Sequence, residues 1–148
     1  DGSQSFTERI ISSTADGVSS IFAIDVDGDG DVDVLSASHV DATVAWYEND
    51  GAQSFSQRVI TATADGAYSV VAIDVDGDGD VDVLSASTND DTVAWYENDG
   101  SQSFTQRVIT TLANGAICVF AIDVDGDGDV DVLSASIDDD TVAWYEND

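Results

Sequence analysis

Apolar residues recur along this chain at every second position, in runs of roughly five to eight residues closed by clusters of Gly, Asp and Asn. The run Thr92 to Glu97 shows the rule: Val93 and Trp95 fall on one face and Ala94 and Tyr96 on the other, as a two-residue period requires. The runs Ser54 to Thr61, Tyr68 to Asp74 and Asp82 to Ser87 are likewise rich in β-branched and aromatic residues. Four short antiparallel strands are predicted from them. No long window carries a 3.6-residue period and glycine interrupts every long stretch, which argues against helix.

The same set of runs returns with a period of roughly 49 residues, within the range of solenoids, propellers and arrays. The units are 1–49, 50–98 and 99–148, and the second and third agree at roughly 39 of 49 positions, so one supersecondary unit serves for all. Asn49-Asp50-Gly51 and Asn98-Asp99-Gly100 supply residues tolerant of positive φ, suited to a tight hairpin that leads into the next unit. Four strands in such a unit describe a propeller blade. The expected fold is therefore all-β: a β-propeller of four-stranded antiparallel blades, three per chain, forming one domain. Ser5 to Ile11 is a run that elsewhere follows the Asn-Asp-Gly turn, and Thr141 to Glu146 is the run that elsewhere precedes it. In a ring these two would pair. Propellers take about four to eight blades, so closure between copies is expected, as a six-bladed homodimer or, alternatively, a nine-bladed homotrimer.

Composition sharpens this picture. The chain has 31 acidic residues against 3 basic ones and a formal charge of -28. Such a surface repels phosphate backbones and anionic lipid heads, so no nucleic-acid partner is expected. No apolar run approaches the roughly 18 to 20 residues of a membrane span, so no membrane insertion is expected, and no signal-peptide pattern is visible. The acids are punctuated by regular apolar runs, unlike a solvated tail.

Much of the charge sits in one nine-residue loop that occurs three times. Its acids are Asp25, Asp27, Asp29, Asp31 and Asp33, then Asp74, Asp76, Asp78, Asp80 and Asp82, then Asp123, Asp125, Asp127, Asp129 and Asp131. Carboxylates on alternate residues, with glycine where the chain folds back, are what a hard cation with oxygen ligands needs. All fifteen are candidate metal ligands, for one calcium per repeat and three per chain. The expected donors in the first loop are the side chains of Asp25, Asp27, Asp29 and Asp33, with Asp31 offering its backbone carbonyl. Gly30, Gly79 and Gly128 permit the sharp turn. An EF-hand is excluded, because position twelve is Ser36, Ser85 or Ser134 instead of a bidentate Glu and the flanks read as strands.

These loops, with Asn-Asp-Gly and an aromatic at Phe6, Phe55 and Phe104, resemble the calcium-binding motif of FG-GAP and VCBS repeats, found in integrin-α-type and bacterial extracellular propellers. The resemblance covers the whole chain. It implies a calcium-stabilised propeller used in adhesion, in sugar binding, or as an accessory domain of a secreted enzyme, and hence an extracellular location.

Other residues recur for architectural reasons. Trp46, Trp95 and Trp144 are expected to pack within and between blades, and Arg9, Arg58 and Arg107 to pair with neighbouring carboxylates. His39 stands where the other units carry Thr88 and Ile137, and Cys118 where they carry Ser20 and Ser69. Neither belongs to a recurring catalytic set, so no enzymatic activity is expected. The expected function is a calcium-binding repeat module with a structural or adhesion-type role and a possible glycan or protein ligand. The alternatives are a lectin with one site per blade and the propeller portion of a secreted polysaccharide-active enzyme. Differences between units gather in the connections opposite the acidic loops, which makes that end the expected ligand face.

Overall fold

The computed structural model describes residues 2–148. Eleven strands and, among the described residues, no helix make up the chain. They form three antiparallel sheets, each a simple up-and-down meander. The first sheet holds β1 (Val18–Ile24), β2 (Asp33–Ser38), β3 (Thr43–Asn49) and β4 (Phe55–Thr61). The second holds β5 (Ala67–Ile73), β6 (Asp82–Ser87), β7 (Thr92–Asn98) and β8 (Phe104–Thr110). The third has only β9 (Ala116–Ile122), β10 (Asp131–Ser136) and β11 (Thr141–Tyr145).

Each four-stranded sheet takes its outermost strand from the following repeat, so sheet and repeat are out of phase by one strand. The Asn-Asp-Gly turn makes that crossing. Asp50 N–H donates to Ser54 O at 3.1 Å, and Asp50 Oδ1 accepts from the backbone of Ala52 and Ser54 at 2.9 and 3.1 Å. The turn needs φ of 74° at Gly51, in the region L side chains avoid.

Four strands were expected per repeat, and the first repeat departs from this. Ser5 to Ile11 is not a strand. A strand exists only through its ladder, and among the described residues this run pairs with no other strand. Its counterparts Phe55–Thr61 and Phe104–Thr110 are strands because β3 and β7 lie beside them. The sheets remain open, and none closes on itself.

Apolar side chains pack between the sheets. Leu35, Val44 and Trp46 of the first meet Ala67, Val70 and Tyr96 of the second; Leu84 and Val93 of the second meet Ala116, Val119 and Val132 of the third. Polar contacts fix the stacking. Ser20 Oγ accepts from Val70 N–H at 3.4 Å, Ser69 Oγ accepts from Val119 N–H at 3.2 Å, and Ser19 Oγ donates to Ala67 O at 2.8 Å. The middle sheet is thus covered on both faces. The outer sheets each leave one face open, where Ile21, Phe120 and Val142 stand exposed.

Candidate metal centres

The acidic loops join the first two strands of each sheet, β1 to β2, β5 to β6 and β9 to β10. Within them Asp25, Asp27 and Asp29 place one carboxylate oxygen each within 4.8 Å of one another, as do Asp74, Asp76 and Asp78, and Asp123, Asp125 and Asp127. Each repeat therefore carries a triad that could hold a metal ion. The backbone holds the loop in this shape. Asp25 Oδ1 and Oδ2 accept from Gly28 and Gly30 at 2.8 and 2.9 Å, Asp27 Oδ1 from Asp29 at 3.2 Å, and Asp29 Oδ1 from Asp31 at 2.8 Å. The same bonds recur in the other two loops. Gly30, Gly79 and Gly128 sit at φ of 96°, 97° and 105°, the left-handed turn that curls the chain round the carboxylates.

The remaining two acids of each loop lie outside the triads. Asp33, Asp82 and Asp131 are buried and bind backbone at both ends. Asp33 Oδ2 accepts from Val26 N–H at 3.0 Å and Oδ1 from Asn49 N–H at 2.7 Å; Asp82 and Asp131 do likewise. Each of these carboxylates ties the acidic loop to the end of the third strand. Asp31 and Asp80 approach Gly51 and Gly100, where a β-carbon would collide with them.

Asn49, Asn98 and Asn147, which the sequence reading used only as turn residues, complete the arrangement. Their side-chain amides donate to the carbonyls of Val32, Val81 and Val130 at 3.1, 3.1 and 3.3 Å. Their recurrence at one place in every unit was the available signal.

Electrostatics in the loops follow from crowding and burial. Burial, with the charges of Asp29, Asp33 and Asp25 behind it, raises the Asp27 carboxyl above its ordinary value. Asp82 is also raised by burial, against the backbone N–H groups of Asn98 and Val75. In the third sheet the equivalent donors on Asn147 and Val124 prevail and hold Asp131 below its ordinary value. A donor set made wholly of carboxylate oxygens suits a hard cation and not a soft one.

A family profile described as FG-GAP-like repeat matches residues 25–85 and again 74–134. Each match runs from the first aspartate of one acidic loop through the whole of the next, so the profile rests on the loops and strands just described. The chain belongs to the FG-GAP-like repeat family. A comparison with curated proteins finds no match. In this FG-GAP-like chain the other recurrent residues serve the sheets. Arg58 and Arg107 pair with Glu48 and Glu97 at 2.5 Å, and Arg58 also lies over Trp46, 5.6 Å from the ring centroid. His39 meets the ring of Tyr68 edge-on at 6.4 Å, and Cys118 is a free, exposed thiol.

Proposed function

We propose that this chain is a calcium-binding β-propeller repeat module with a structural or adhesion-type role, each sheet being one blade and each acidic loop one calcium site. The observation that carries this reading is the carboxylate triad, repeated three times with the same backbone frame. Asp25, Asp27 and Asp29 would hold the ion, with Asp31 and Asp33 completing its shell, and so in the other loops. The ion would supply positive charge where like charges otherwise repel. A loop with Kd on the order of 0.1 mM gains about 1.4 kcal/mol at millimolar calcium. In this reading the module is extracellular, where calcium is millimolar and sites of about 10⁻⁴–10⁻³ M affinity are filled.

The partner in this reading is a second copy, giving six blades, with a ring of three copies as the alternative. A glycan or protein ligand would meet the end opposite the calcium loops. The module is read as non-catalytic. Against one sugar site per blade stands the burial of Trp46, which at 1% exposure offers no face to a sugar. Calorimetric titration of the chelator-stripped chain with calcium tests the proposal: three ions per chain are expected, and absence of binding at millimolar calcium would sink it.

A further inference from the structure

A cavity of about 170 Å3 opens between the second and third sheets, with Trp95 and Ile109 on one side and Val132, Tyr145 and Asn147 on the other. Between the first and second sheets, Phe104 of β8 packs against the core that holds Trp46 and Tyr96. One repeat further on, the residue in that place would be the phenylalanine of a strand beside β11, and the third sheet has no such strand. Phe6 is the phenylalanine of the one run that is not a strand, and it is 93% exposed. An apolar cavity of about 150 Å3 accommodates a benzene ring, so the space fits one phenylalanine side chain.

Charge and aromatic surface agree. Arg58 and Arg107 are paired with Glu48 and Glu97, but Arg9 and Glu146 make no ion pair among the described residues. Trp144, against whose counterpart Trp46 an arginine lies, is 46% exposed. The open faces are complementary as well. On the first sheet Ile21 is 70% exposed, whereas Val70 and Val119, its equivalents, are buried. On the third sheet Cys118 stands where Ser20 and Ser69 accept a backbone N–H from the neighbouring sheet.

We propose that a second copy of this chain docks head to tail on the third sheet: its residues 5–11 add to β11 as the fourth strand, its Phe6 fills the cavity, and its Arg9 pairs with Glu146 over Trp144. This rests on reading the sheets as propeller blades. The register follows from the complete sheets, where Trp46 faces Arg58, Glu48 faces Ser56 and Asn49 faces Phe55. It sets Trp144 against Arg9, Glu146 against Thr7 and Asn147 against Phe6 of the second copy. The first sheet of that copy then covers Cys118 and Phe120, as the second sheet covers the first. The interface is heterologous, so it repeats until a ring closes.

The test is a disulfide placed in this register. In a Cys118→Ser background, Thr7→Cys with Glu146→Cys is expected to give, under mild oxidation, a covalent species of more than one chain that reductant dissolves. Glu8→Cys with Glu146→Cys is expected to give none, because adjacent strand residues point to opposite faces. A disulfide confined to one chain, equal cross-linking by both pairs, or no cross-link overturns the proposal. Phe6→Ala alters a residue outside every strand, and is expected to weaken association on the order of a hundredfold; unchanged association overturns the cavity's assigned occupant. Calcium titration of the same variants separates the two readings. Ions bound without in-register cross-linking remove the docking alone, and cross-linking without ions removes the calcium reading alone.

Discussion

Asp33, Asp82 and Asp131 have both carboxylate oxygens engaged by backbone N–H groups, whereas Asp27, Asp76 and Asp125 each accept one such bond and face two other carboxylates. The two kinds of aspartate answer differently to the same substitution. Asp82→Asn replaces one accepting oxygen by an amide that points donors at a donor, and should lower unfolding stability by about 1–3 kcal/mol even in chelator. Asp76→Asn should leave chelator-treated stability unchanged or slightly raised, since it removes a repelling charge, and should reduce bound calcium from three ions to two. Chemical denaturation with and without chelator, beside calorimetry, checks both. Arg58→Ala should cost no more than about 1 kcal/mol in the same denaturation, because the ion pair is largely exposed. The alternation of acid and glycine made the loops legible in the sequence. It did not reveal which acids hold the backbone, since that depends on Asn49, Asn98 and Asn147, at or just past a strand end, arriving from sixteen residues away.

At the scale of the element, the strands were legible wherever a two-residue period met a Gly or Asp boundary, and their edges fall within a residue or two of the predicted runs. Ser5 to Ile11 carries the same period and is not a strand, because periodicity says which faces a run would have and not whether an edge lies beside it. The inter-sheet bonds from Ser20 and Ser69 were not legible either. Serine at those places reads as an ordinary polar position until the next sheet brings Val70 and Val119 to it. Hydrogen exchange should rank the elements accordingly: slowest in β6 and β7, covered on both faces, faster in β11, and fastest in residues 5–11 of the dissociated chain. Equal protection of β7 and β11 in dilute, dissociated protein would contradict this ranking.

For the whole molecule, charge sets the response to pH. The carboxyls of Asp27, Asp82, Asp90 and Asp125 are raised in the folded chain; burial is the main cause for the first three, while at Asp125 the lowering by the Asp127 N–H is outweighed by desolvation together with the charges of Asp127, Asp131 and Asp123. A raised folded pKa means that the folded form binds the proton more readily, so this stability is complete below the ordinary carboxyl pKa and is lost as pH rises through the raised, folded-state one. Asp131, lowered, acts with the opposite sign. In chelator the unfolding midpoint should therefore rise as pH falls from neutrality toward the ordinary carboxylate range. In calcium it should fall over the same interval, as protons compete for the ligands. Thermal melts in the two buffers decide it, and parallel curves would mean that no ion occupies the loops.

The one-strand offset between repeat and sheet bears on how such a molecule changes length. Insert or delete one 49-residue unit at any point and the chain still reads as the same succession of runs, with one sheet more or fewer and one run still separated from its partner. Recombination within the repeats thus needs no particular breakpoint to yield a foldable product. Such an exchange changes the number of sheets and leaves the chemistry of every sheet as it was.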